Sequence, residues 1–164
     1  MDEAMKEIEA GERKLAEADF EGALARFKKA VKADPKSAEA YFGKAEAALG
    51  VPKIPAEEVI ADYKRACELA PDNPFYHARL GAFAIEAGHF ELAEQSYNKS
   101  AELDPDSAYL YLSEFGLELY RARREKLDEM TPQMRDDVGR KALRYVLRAK
   151  RMQETEAARL LKGA

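Results

Sequence analysis

Three short segments punctuate the chain at a nearly constant interval: Ala33-Asp34-Pro35-Lys36, Leu69-Ala70-Pro71-Asp72 and Leu103-Asp104-Pro105-Asp106. Their prolines lie 36 and 34 residues apart. Proline lacks an amide hydrogen and its ring clashes with the preceding turn, so each segment stops one helix and lets the next one open shortly afterwards. A period of this length is one supersecondary unit used repeatedly, and it limits the architecture before any single element is assigned.

Each interval holds two helical runs, with the same internal offsets in the first and third and a connection two residues longer in the second. In the first, Gly11 is followed by Ala23, Phe27, Ala30 and Pro35. In the third, Leu80-Gly81 leads to Ala93, Tyr97, Ser100 and Pro105 at the same offsets. In the second, Ala45 stands for the glycine, with Val59, Tyr63, Ala66 and Pro71 behind it. A small residue on helix A, then Ala, an aromatic and Ala on helix B, then Pro, resembles the tetratricopeptide repeat (TPR) pattern. The resemblance implies an all-α, right-handed α-α superhelix of antiparallel helix pairs, about eight helices in all. It spans the whole chain as a single domain: repeats at approximately 4–36, 37–72 and 73–106, and a divergent, extended fourth at 107–162.

The offsets have a physical reason. Small residues at Gly11, Ala45 and Gly81 let helix B cross close to helix A, and the aromatic four residues beyond Ala23 or Ala93 fills the space beside that crossing. Neither helix of a pair buries its apolar face alone; stacked neighbours do so for one another. The connections agree, with Ala18-Asp19 and Gly88-His89 joining helices, and Asn73-Pro74 as a cap and first helical residue. Gly50-Val51-Pro52-Lys53-Ile54-Pro55 is longer and reads as a stiff, exposed loop.

Past Pro105 the pattern stretches. One helix is expected from Ser107 to about Glu129, and a second, capped by Thr131-Pro132, to about Leu161, giving a long C-terminal hairpin. Ala142, Val146 and Ala149 repeat the offsets of Ala23, Phe27 and Ala30, whereas Phe115-Gly116 falls one place later than Leu80-Gly81 predicts. The incoming side of the tip is basic through Arg121, Arg123, Arg124 and Lys126, and Arg140, Arg144, Arg148 and Arg151 stripe the outgoing helix. Residues 1–131 carry a formal charge of −9 and residues 132–164 one of +5. An acidic body with a basic end concerns partners rather than fold.

In the family, helix A residues line a concave face that takes peptides or helices. By repeat position that face comprises Met5, Ile8, Glu12 and Leu15, then Phe42, Glu46 and Leu49, then Phe75, Arg79, Ala82 and Ile85. It is apolar with acidic spots, which suits a partner's amphipathic helix or a hydrophobic segment with basic residues. The competing reading is packing between repeats, or cover by the basic C-terminal helix. The carboxylate clamp of some family members aligns with Ile8, Glu12, Gly43, Phe75 and Arg79; only the arginine is present, which argues against that chaperone-tail function.

Nothing points to catalysis, a metal or a cofactor. His77 reads as a packing residue and His89 as a turn residue. Asp104-Pro105-Asp106 lacks the glycine and closing glutamate of a calcium loop, and capping explains it. No glycine-rich phosphate loop occurs. The lone cysteine, Cys67, forms no intrachain disulfide, and the acidic N-terminal residues lack the apolar run of a signal peptide. No apolar stretch is long enough to span a membrane, so a cytoplasmic location is expected. The leading expectation is a scaffold that binds a protein or peptide partner. The alternatives are self-association, as a homodimer, through Leu143, Leu147 and Met152, and docking of an acidic surface on the arginine-rich hairpin. Nucleic acid is disfavoured as a partner because no aromatics interleave with the arginines.

Overall fold

The computed structural model describes residues 2–162. They form eight α-helices and no strand: α1 (Glu3–Ala16), α2 (Phe20–Ala33), α3 (Ala38–Ala48), α4 (Ala56–Leu69), α5 (Pro74–Glu86), α6 (Phe90–Leu103), α7 (Ala108–Glu125) and α8 (Pro132–Lys162). Short 3-10 turns at Pro105–Ser107 and Leu127–Glu129 flank α7. Polar side chains set several helix starts by accepting amide hydrogens that have no partner within the helix. Asp19 Oδ1 accepts from Gly22 N at 2.9 Å, and Ser37 Oγ accepts from Ala40 N at 3.2 Å. Asn73 Oδ1 accepts from Phe75 N at 3.0 Å, and Thr131 Oγ1 accepts from Met134 N at 3.2 Å.

The helices gather into two compact units, one up to Tyr76 and one from His77 onward. In the first, α1 pairs with α2, α3 pairs with α4, and α1 and α2 also pack on α3. Its centre is the ring of Phe27, which is 1% exposed. A Cβ on Gly11 would stand 2.8 Å from that ring, and one on Gly43 would overlap it outright. The ring therefore sits between α1 and α3 where neither backbone carries a side chain. Gly43 is absent from the sequence pattern of small crossing residues, yet it meets the ring more closely than Gly11 does. Tyr63 is fully buried and its hydroxyl donates to Glu46 Oε1 at 2.6 Å. The 50–55 connection is only partly the exposed loop expected: Val51 is buried, and the Phe20 ring lies over Gly50, leaving no room there for a Cβ.

In the second unit Tyr97, Phe115, Leu119 and Ala142 share one core with Ala84 and Ile85. Gly81 receives the Tyr97 ring, and a Cβ there would lie 2.7 Å from it. Gly116 does the same for α8, where a Cβ would face Val146 Cγ2 at 2.8 Å and the Ala142 carbonyl at 2.9 Å. The glycine one place late in the repeat register is thus the residue at this crossing. Arg123 packs on Gly139, so residue numbers fall on one helix as they rise on the other, and α7 and α8 run antiparallel. The first helix of this hairpin ends at Glu125 rather than near Glu129, because the chain turns through a 3-10 segment before Thr131 caps α8.

The connections after α1 and after α5 share one geometry. Asp19 N donates to Lys14 O at 2.9 Å and His89 N donates to Ala84 O at 2.7 Å, closing the helix ends in the Schellman manner. The residue before each adopts a left-handed backbone: Gly88 at φ 84° and Ala18 at φ 58°. Glycine takes that conformation without strain, whereas alanine loses about 1–2 kcal/mol there. Ala18→Gly is therefore expected to raise the unfolding free energy by about 0.5–1 kcal/mol, after the greater freedom of glycine in the unfolded chain is deducted. Gly43→Ala is expected to lower it by about 2 kcal/mol: collision with a ring that has nowhere to move outweighs the better helix propensity of alanine. Urea denaturation followed by circular dichroism reads both; a stabilised Gly43→Ala would contradict the seating of Phe27.

Candidate partner-binding surfaces

In the first unit α1 and α3 lie side by side and the start of α5 adds an aromatic cluster. Phe42 stacks on Tyr76 with ring centroids 4.5 Å apart, meets Phe75 at 5.5 Å, and meets Tyr63 edge-on at 5.9 Å. Phe75 remains 54% exposed, as does Met5, and Leu49 is 42% exposed. Glu12 is exposed, Leu15 and Phe42 are half-buried, and Glu46 is engaged by the Tyr63 hydroxyl. Ile8 is buried, so it supports this face from behind instead of offering a contact. In the second unit Arg79 and Ala82 are half-buried, and Ile85 is a core residue on Phe115 and Leu119. Repeat position does not single out Tyr76, the stacking partner of Phe42. Its place directly after Phe75, at the start of a helix, is the one signal of it in the sequence.

The basic residues separate into three groups. Arg123 is half-buried and its Nε donates to the Arg135 carbonyl at 2.7 Å, while Lys126 Nζ donates to the Glu86 carbonyl at 2.8 Å. Arg123 thus ties α7 to the start of α8 and Lys126 ties the hairpin to the end of α5, so these two are not a free basic tip. Arg121 pairs with Glu118 at 3.3 Å and Arg140 with Asp136 at 3.9 Å, both exposed, and Arg124 is exposed as well. Arg144, Arg148 and Arg151 instead border a hollow of about 960 Å³ beside α8. Leu143 and Leu147 are 58% and 45% exposed, on the side of α8 away from Ala142.

No protein-family model matches the sequence. Solved structures do match. "Crystal structure of MamA" superposes with a TM-score of 0.72 at 20% identity, over 96% of this chain and 82% of that one. MamA 41-end from Desulfovibrio magneticus RS-1 gives a TM-score of 0.71 at 16% identity, over 94% and 77%. The first TPR of Spaghetti (RPAP3), bound to the HSP90 peptide SRMEEVD, gives 0.63 at 22% identity, over 71% and 93%. The chain has a tetratricopeptide-type helical-repeat fold.

Within this TPR fold the chemistry of the described residues is spare. No cluster of three or more His, Cys, Asp or Glu residues among them is arranged to hold a metal ion, and no described helix is long and apolar enough to cross a membrane. His89 lies exposed at the start of α6 and His77 is half-buried in α5. Asp104 caps the turn that follows it, accepting from Ser107 N at 3.3 Å. Asp62 is buried against Lys44 at 2.9 Å, and desolvation nevertheless raises its carboxyl pKa. Four side chains tie α6 to α8: Lys141 and the Tyr145 hydroxyl both donate to Glu94, and Asn98 donates to Tyr145 Oη at 2.9 Å.

Cys67 is 7% exposed, and burial pushes its thiol up to about 11. Only the thiolate is a nucleophile, so this cysteine is a packing residue at neutral pH. Alkylation by iodoacetamide at mildly alkaline pH is expected to be about a hundredfold slower in the folded protein than in denaturant, read by intact mass; equal rates would contradict the burial of the thiol.

Proposed function

We propose that this protein is an interaction module that holds a hydrophobic, basic peptide or amphipathic helix of a partner protein against the face of α1, α3 and the beginning of α5. The observation that carries the reading is Phe75, more than half exposed over the Phe42–Tyr76 stack. A large ring left in water above a rigid aromatic base is the kind of anchor on which interfaces concentrate their binding energy. Met5 and Leu49 extend the apolar surface, and exposed Glu12 adds a negative charge that selects for basic flanking residues. The HSP90 peptide bound by the RPAP3 repeat supports peptide binding by this fold as a class. The acidic tail of that peptide suits this face poorly. Ile8, Glu12, Gly43 and Phe75 supply no cation at the positions aligned with a carboxylate clamp.

The test is affinity capture from the native cell extract with three baits: wild type, Phe75→Glu and Met5→Glu. Both variants alter exposed side chains, so helicity is expected to stay unchanged. Loss of one aromatic anchor at an interface costs about 2 kcal/mol or more, which predicts retention of the partner lowered by about thirtyfold for Phe75→Glu. Leu143→Glu, on α8, is expected to retain the same proteins as wild type. Identical retained sets for wild type and Phe75→Glu would remove this face as the binding site.

A further inference from the structure

A groove opens beside α8. Pro105 and Tyr109 form one wall, Met152 contributes apolar surface, and Arg144, Arg148 and Arg151 project from successive turns of α8. The hollow of about 960 Å³ continues into a second one of about 510 Å³ that reaches Ala108 and Leu112. A space of this size admits several side chains of an extended segment.

The charges along this helix are arranged unfavourably for a protein alone. Arg140, Arg144 and Arg148 succeed one another at four-residue spacing, which places like charges on neighbouring turns. Some exposed cations on other helices are matched one turn away, Lys14 with Glu17, Arg65 with Glu68 and Arg121 with Glu118, and on α8 itself Arg140 pairs with Asp136 and Lys150 with Glu154. Among the described residues Arg144, Arg148 and Arg151 form no salt bridge. Converging cations at the rim of an apolar hollow are complementary to a ligand that carries both carboxylates and hydrophobic side chains. We propose that this groove docks an acidic segment of a partner protein, its carboxylates on Arg144, Arg148 and Arg151 and an apolar side chain against Pro105 and Met152.

The competing anionic surfaces fit less well. Tyr109 is the one aromatic side chain in the larger hollow, so successive bases have no stacking platform. Asp106 also lines it and opposes a phosphate-dense strand. A bilayer meets convex apolar surfaces and does not fill a concave one. The groove is built from elements other than α1 and α3, so it stands or falls separately from the face assigned above.

Fluorescence anisotropy with a short labelled peptide of interleaved Glu and Leu tests the proposal on the full chain. Binding is expected, weakening as salt rises, and it should be unchanged by Phe75→Glu. Arg144→Glu, Arg148→Glu and Arg151→Glu made together should weaken it at least tenfold. The control, Arg121→Glu, Arg124→Glu and Arg140→Glu together, changes the net charge equally outside the groove and should weaken it about twofold at most. If circular dichroism shows the groove variant unfolded, Arg148→Ala alone should still weaken binding about threefold. Any of four results would overturn the proposal: no binding, equal loss in the two triple variants, equal affinity for a Gln-Leu peptide, or preference for phosphatidylserine vesicles or single-stranded DNA. Self-association without peptide, abolished by the groove variant, would assign the groove to a second copy and overturn it likewise.

Discussion

A ring from the second helix of a pair, seated against a glycine of the first, is the contact on which each unit is built. A glycine removes the Cβ that would otherwise hold the backbones apart, and the space released is filled by one flat side chain. Phe27 shows the extreme form, lodged between Gly11 and Gly43 so that one ring joins α1, α2 and α3. Tyr97 on Gly81 repeats the arrangement in the second unit, and Val146 on Gly116 does so with a branched side chain in place of a ring. Interiors packed at crystal-like density have no slack to absorb an added methyl group at such points. The helices can then differ widely in surface sequence while keeping their crossings.

The identity of the ring decides what else the crossing needs. Phenylalanine is satisfied by apolar walls. Tyrosine brings a hydroxyl that must find a partner when buried. Tyr63 donates to Glu46, and Tyr97 donates to Glu114 at 3.0 Å. Burial of Tyr97, with Glu114 beside it, raises the pKa of its phenol, which keeps it a donor. These glutamates are partly committed to the core, although by sequence they pass for surface charges.

The split of the arginines shows why the basic hairpin was only half legible. Spacing puts Arg140, Arg144, Arg148 and Arg151 on one stripe of α8, because a helix fixes which residues share a face. Spacing cannot say that Arg123 reaches the Arg135 carbonyl or that Lys126 reaches the Glu86 carbonyl, since both acceptors lie on other elements and backbone acceptors leave no trace in side-chain pattern. The same blindness applies to the groove: Pro105 and Tyr109 are separated from Arg144 by a whole helix, and only the α7–α8 hairpin brings them to one hollow. Likewise Ile8 and Ile85 share helical faces with exposed neighbours, and their burial depends on what packs over them.

The order of helices, their caps, the near-constant period and most crossing residues were settled by local rules: where proline stops a helix, where glycine removes a side chain, where Ser, Asp, Asn or Thr accepts a free amide hydrogen. Those rules act over a few residues and so can be read along the chain. Contact between distant elements decided the remainder. The seat of Phe27 on Gly43, the stack of Tyr76 on Phe42 and the hollow beside α8 each require two helices to meet at a particular height and rotation. Burial against a neighbour sets that meeting, and a one-dimensional pattern does not encode it.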